Sequence, residues 1–393
     1  MLLPTNQHLT YCTNIHPGET WSATFEALKN HLPNIKTRLS PTKPFGIGLR
    51  LSNEASLELI QETNLEAFKK WLIDNHFYVF TMNGFPFGGF HRQIVKDHVH
   101  TPDWTTKERL EYTKRLAFIL ASLPSTVSDL GISTSPISYK YWHKTQVELD
   151  AVKHKAAIHF VELITYLVEL YTKSGKFIHI DIEPEPDGVI ENSDEMISFY
   201  NDWLIPEAKK TFSNADQIVK QYIQVCYDVC HFAVGYEQPQ DVILKFEKEG
   251  IKIGKVQISA ALKVQLATSG NRDTIRELLH PFQESTYLHQ VVQRNNDQTF
   301  THYADLPDAL KNLDDSKAVE WRTHFHVPIY KQSYNAIEST QQDIIDVLKI
   351  NQTKNFTNHF EVETYTWEVL PTDERVHIEE SIVRELEWFL GEI

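Results

Sequence analysis

Residues 176–188 read KFIHIDIEPEPDG. Phe177 to Ile182 alternate in the two-residue period of a β-strand, with Ile178, Ile180 and Ile182 on one face. Pro184 and Pro186 cannot donate to a ladder, so the strand stops there, in a cluster of Asp181, Glu183, Glu185 and Asp187. A buried strand that delivers carboxylates at its C-terminal end is the arrangement at the active mouth of an α/β barrel, and Glu183 is the expected metal ligand. A strand followed by an acidic surface turn is the alternative that this segment alone leaves open.

Outward from this stretch, strands and helices alternate. Strands are expected at 8–16, ending in His16, at 45–52, carrying Arg50, and at 77–84, carrying Asn83. Further strands are expected at 131–139, 177–182, 221–231, 255–262 and 359–371. Helical periodicity falls between them, at 20–31, 53–76, 104–123, 143–173, 194–212 and 375–390. Eight strands with intervening helices is the count of a (β/α)8 TIM barrel. A doubly wound open sheet is the runner-up, but the first strand lacks a GxGxxG turn. Residues 263–355 are too long for one crossover. They are expected to form an insertion or lid before the last strand of a single domain spanning 1–393, and they contain the strand-like THFHVPIY at 323–330.

The 393 residues carry a net charge of −15, which argues against a nucleic-acid partner because phosphate binding needs a basic face. Cys12, Cys226 and Cys230 are too few for a disulfide framework, no apolar run is long enough for membrane insertion, and a cytoplasmic location is expected. Ligand-type side chains recur at strand ends: Glu183, Asp228 with His231, Gln257 and Glu363. His324 and His326, two apart on an extended segment, can point the same way. Carboxylates with imidazoles suit Mn²⁺, Mg²⁺ or Zn²⁺ without choosing among them. The long loop 85–103 holds His91, His98 and His100, where substrate contacts usually sit.

DIEPEP (181–186), YDVCH (227–231) and the VET of the last strand (362–364) resemble the xylose-isomerase-like TIM barrels, a group of sugar (phosphate) isomerases and epimerases and endonuclease-IV-type phosphoesterases. The resemblance implies a divalent metal on strands five to eight, carried by Glu183, Asp228, Gln257 and Glu363, with His231 matching a further ligand of the endonuclease-like members. Gln257 stands where the wider group has a His, so His324 or His326 is a candidate replacement. Asn83 and Ser138 stand where the endonuclease-like members carry histidines, which argues against nucleic-acid cleavage. More narrowly, LTYCTNIHPGETW (9–21), FGIGLRLS (45–52), NGFPFGGFH (83–91) and VETYTWEVLP (362–371) resemble the EboE-type metabolite-traffic proteins of bacterial ebo operons.

Three functions are therefore carried forward. One is a metal-dependent isomerase or epimerase of a small sugar-like or polyol-like metabolite in a biosynthesis or export pathway. In it Glu183 and Glu363 serve as base and acid, and Arg50, His16, Asn83 and His91 bind substrate. The second is a non-catalytic metabolite-binding protein that works with pathway partners. The distant third is a metal-dependent phosphoesterase.

Overall fold

The computed structural model describes residues 1–89, 95–266, 272–283, 287–334, 336–364 and 377–393. Eight parallel strands form the barrel: β1 (His8–Tyr11), β2 (Phe45–Arg50), β3 (Phe77–Asn83), β4 (Asp129–Thr134), β5 (Phe177–Ile182), β6 (Ile223–Asp228) and β7 (Ile253–Ile258), with β14 (His359–Val362) last. β14 inserts between β7 and β1, pairing Phe360 with Val256 and Leu9 with Phe360. A parallel bridge from Cys12 to Gly48 brings β1 against β2 and closes the ring. Nearly every barrel-strand residue is buried, because helices cover the outside and side chains fill the inside.

The expected strands exist, and their ends move for local reasons. The first strand stops at Tyr11, and Thr13–Ile15 form a 3₁₀ turn instead of carrying it to His16. The fourth strand ends at Thr134, ahead of Pro136. The sixth ends at Asp228, whose side chain caps the short helix Val229–Val234. His231 thus sits on a helical turn and not on the strand. The 53–76 helix is two, Asn53–Leu59 and Glu62–Asp74. The 143–173 helix is Gln146–Ser174, opened by a Thr145/Glu148 capping box and closed by Gly175 in the left-handed region at φ 69°. The expected continuation of the last strand through 365–371 lies outside the described residues.

KVQISAAL is not one strand. The chain leaves the barrel at Ser259, whose hydroxyl donates to Asp228 Oδ1 at 2.8 Å and accepts from Cys230 N at 3.0 Å. It enters a six-stranded antiparallel sheet built from β8 (Ala260–Gln265), β9 (Val291–Asn295), β10 (Phe300–Tyr303), β11 (Ala318–Val327), β12 (Ser333–Tyr334) and β13 (Ile337–Ser339), in the order β10-β9-β11-β8-β13-β12. The insertion therefore starts at β8, before residue 263. The helix Gln341–Lys354, counted with it in the sequence, packs beside the barrel helix Pro239–Glu249 and leads straight into β14. Trp321, Phe325 and Val327 of β11 belong to the same contiguous apolar cluster as the barrel core.

The barrel interior is not all apolar. Lys255 Nζ lies 2.6 Å from Glu361 Oε2 and 3.0 Å from Ser133 Oγ, all fully buried. Gly48 makes room for the pair, since a Cβ there would meet Glu361 Oε1 at 1.8 Å and Tyr11 O at 2.7 Å. Breaking such a pair from one side leaves a buried charge unanswered. Lys255→Met is expected to destabilise the protein by about 3–5 kcal/mol, and Lys255→Met/Glu361→Gln to recover a large part of that. Denaturant unfolding of the two variants checks it.

Candidate metal centre at the barrel mouth

The C-terminal ends of β5, β6 and β14 converge on one partly covered cavity of about 60 Å³, bordered by the insertion sheet and the 95–100 segment. Glu183 follows β5 directly, its backbone N–H donating to Thr134 O at 3.0 Å, and its Oε2 is buried with no hydrogen-bond partner. Asp228 splits its two oxygens. Oδ1 accepts from His231 N at 3.0 Å and from Ser259, holding the turn, and Oδ2 is left buried and unpartnered. Glu363 follows β14, and its Oε1 accepts from Asn14 Nδ2 at 2.6 Å and Asn83 Nδ2 at 3.1 Å. Glu183, Asp228 and Glu363 each bring a carboxylate oxygen within 4.8 Å of the other two.

Three imidazoles complete the set. His231 comes from the turn after β6, and His324 and His326 from β11, two residues apart as their spacing predicted. Each has its Nδ1 engaged by an oxygen: His231 with Pro184 O at 2.9 Å, His324 with Gln290 Oε1 at 2.8 Å and His326 with Glu363 O at 2.9 Å. Holding Nδ1 by an oxygen is the way a metal-ligating His is fixed by its outer partner. His231 Nε2 and His324 Nε2 are 3.1 Å apart, and His326 Nε2 is 3.8 Å from Asp228 Oδ2. Overlapping triads of donors, Glu185–His231–His324 and Asp228–His231–His326, each fall within 4.8 Å.

Burial sets the electrostatics. It pushes the Glu183 carboxyl well above its ordinary range, with Glu363 and Asp228 adding repulsion. Glu185 is raised by burial and by Asp228. Glu363 is pushed up to about 8 by burial, then by Asp228 and Glu361. His231, His324 and His326 are held below the usual imidazole value by burial, so they are neutral and able to coordinate. Unpartnered carboxylate oxygens of Glu183, Glu185 and Asp228 beside neutral imidazoles fit a divalent cation.

The other sequence candidates are dispersed. Gln257 is fully buried in β7, paired in register with Asp228 and Glu361. Its amide atoms are buried without a hydrogen-bond partner. Arg50, at the C-terminal end of β2, is a clamp between loops: its guanidinium donates to Gly18 O, Gly88 O and Glu19, and it is not among the residues lining the cavity. His16 bonds Tyr11 Oη at 2.8 Å and stacks on His31 at 4.3 Å, also away from the cavity. Asn83 lines the cavity, and His91 lies outside the described residues. His100, from the long loop read as a place for substrate contacts, lines the cavity, and sequence reasoning missed Asn14, Glu185 and Gln290, which line it too. The Glu185 signal was present in the Glu-Pro-Glu-Pro repeat. Asn14 gave none, because it lies in a turn taken for strand.

Solved structures share this architecture. A xylose isomerase-like TIM barrel protein from Mycobacterium smegmatis in complex with magnesium is 11% identical at TM-score 0.53, covering 100% of this chain and 98% of its own. A putative sugar phosphate isomerase/epimerase from Anabaena variabilis is 10% identical at TM-score 0.52, covering 98% of each chain. The IolI protein with a bound zinc atom is 11% identical at TM-score 0.50, covering 98% of this chain and 97% of its own. No protein-family model matches the sequence, and no curated protein does. The fold is a xylose isomerase-like TIM barrel.

The raised carboxyls carry a pH signature. Their folded values exceed the unfolded ones, so in metal-free protein the cost of ionising them in the fold grows from about pH 4.5 to about 8. The imidazoles oppose this only below their ordinary value near 6.5. Buried Glu385, raised to about 8, and Asp187, raised to about 7, add to the carboxyl effect. Chelator-treated protein is therefore expected to lose stability between about pH 6.5 and 8.5, with Glu363→Gln flattening the slope. Unfolding curves across that range, with and without added Zn²⁺ or Mn²⁺, check it; equal slopes for wild type and variant would refute it.

Proposed function

We propose that this chain is a divalent-metal-dependent isomerase or epimerase of a small sugar-like or polyol-like metabolite. The observation that carries the reading is the set of three carboxylates within 4.8 Å of one another at the barrel mouth, with unpartnered oxygens on Glu183 and Asp228. Glu183, Asp228, Glu363, His231, His324 and His326 would hold the ion, with Glu185 beside them. A bound divalent cation polarises the oxygens of a hydroxy-carbonyl substrate and favours loss of the adjacent C–H proton. The chain's residues do the rest.

Glu183 and Glu363 are the acid–base pair. Both carboxyls come to the same cavity, where one would take the proton at carbon and the other give one back. Asn14 and Asn83 fix the Glu363 carboxyl through its Oε1, so its second oxygen is the one free to work. Similar barrels include one described with zinc, one with magnesium and one described as a putative sugar phosphate isomerase/epimerase, and these descriptions support the reading.

A second reading is an EboE-type metabolite-traffic protein that binds its metabolite without turnover and hands it to pathway partners. Gln257 in place of a metal-ligating His on the seventh strand favours it, and a phosphoesterase stands behind both. Three free, buried cysteines support a reducing, cytoplasmic setting for either role. Among the described residues no helix is long and apolar enough to cross a membrane.

Elemental mass spectrometry of wild type beside Glu183→Gln is expected to give Mn or Zn near stoichiometry in the first and its loss in the second. Metal-loaded wild type is then expected to incorporate deuterium at carbon from D₂O in a panel of ketoses, aldoses and keto-polyols, and the metal-free protein is not. Failure to bind Mn²⁺ or Zn²⁺ would remove the metal-centre reading. Metal binding without exchange across the panel would move the conclusion to the binding-protein reading.

A further inference from the structure

A second group of ligand-type side chains gathers at the other end of the barrel. Asp129 opens β4, His179 lies inside β5 and His359 opens β14, and one donor atom from each lies within 4.8 Å of the other two. β4 and β14 are not neighbours in the sheet, so the three side chains meet across the N-terminal opening, away from the mouth. Both histidines are nearly fully buried.

The wiring is that of ligand histidines. His179 Nδ1 lies 2.6 Å from Asp181 Oδ1 and its Nε2 lies 3.5 Å from Asp129 Oδ1, so the ring is held between two carboxylates. His359 Nε2 lies 3.1 Å from Asp129 O, and its Nδ1 is buried without a hydrogen-bond partner. One nitrogen held by a carboxylate or carbonyl, with the other left as a lone pair, is how metal-bound imidazoles are oriented. Space has been cleared for this pairing. A Cβ on Gly131 would meet His179 Cε1 at 2.5 Å, and one on Gly254 would meet Asp181 Oδ1 at 2.0 Å. The Asp129 side chain is 38% exposed and lines a cleft of about 160 Å³ with Gln224, Thr357 and Asn358, which gives an ion a way in.

We propose that Asp129, His179 and His359 bind a zinc-type transition-metal ion at the N-terminal end of the barrel, independently of the mouth centre. Two imidazoles and one carboxylate are the three-protein-ligand set of a tetrahedral Zn²⁺ or Co²⁺ site, with solvent at the fourth position on the Asp129 side. Mg²⁺, which prefers oxygen ligands, is disfavoured there. The ion would tie β4, β5 and β14 together at the end of the barrel that carries no other metal-type donor triad among the described residues.

The test uses Co²⁺ as the probe in the full-length chain. A mouth-disabled variant, Glu183→Gln/Asp228→Asn, is expected to retain about one equivalent of Co²⁺ with the strong visible absorption of four-coordinate cobalt. Adding Asp129→Asn or His359→Gln to it is expected to abolish that band, with circular dichroism reporting an unchanged fold. No Co²⁺ uptake by the mouth-disabled protein, or a band indifferent to Asp129→Asn, would overturn the proposal. Should the mouth-disabled chain not fold, the metal-to-protein ratio at saturation is compared between wild type and Asp129→Asn. A drop of about one equivalent supports the site, and equal ratios refute it.

Discussion

Charge crowded into a buried cluster at the mouth is the constraint on which the remaining structure depends. Glu183, Asp228 and Glu363 lie together, nearly fully buried, with Glu185 alongside. Several ionised carboxylates at such range are strongly unfavourable in a medium of low dielectric, so in the absence of a cation protons must stay on some of them. The fold tolerates this because the groups stand on rigid elements. Two follow barrel strands directly, and the third is fixed by capping the helix that follows its strand. A flexible loop would relieve the repulsion by swinging a carboxylate into water. Strand ends locked by parallel pairing on both sides do not have that escape.

The insertion is part of the site and not an accessory to it. The barrel strands supply the carboxylates, and β11 of the second sheet supplies two of the three imidazoles. β9 and the segment before it buttress them: His289 stacks on Phe325 at 3.7 Å, and Gln290 orients His324 through Nδ1. The seventh barrel strand buries Gln257 in the interior, and the chain turns out of the barrel two residues later, at Ser259. The exit point and the imidazole supply are linked, since the Ser259 hydroxyl that marks the bend also holds Asp228 Oδ1.

What could be read from the sequence divides along physical lines. Period-two alternation located β5 to the residue, because a strand buried on both faces and ended by prolines leaves few other options. Carboxylates at strand ends and the His-x-His spacing of residues 324–326 were legible for the same reason: local geometry fixes where such side chains point. Tertiary partners were not legible. Arg50 ends its strand as a ligand-binding residue would, yet its guanidinium is consumed by Gly18, Gly88 and Glu19, a choice made by loops distant in sequence. Asn14 reaches Glu363 across 349 residues of chain separation, and no local pattern encodes that contact. The 255–262 run misled because it stays apolar across the bend, where only the small, hydroxylated Ser259 marks a change of sheet.

Beneath the mouth, Lys255 is the positive charge that would be expected to offset the carboxylates, and it lowers both Glu183 and Glu363. It is already committed to Glu361 at 2.6 Å, so the pair is close to neutral and its field at the mouth is that of a dipole and not of a cation. The net negative charge of the mouth is therefore left uncancelled from below, and the roof adds only imidazoles that burial keeps neutral. Lys96, which lines the cavity, is bound to Asp305 at 2.6 Å. Among the described residues, Lys255 and Lys96 thus each have their own acid, and neither is left as a free cation for the mouth carboxylates.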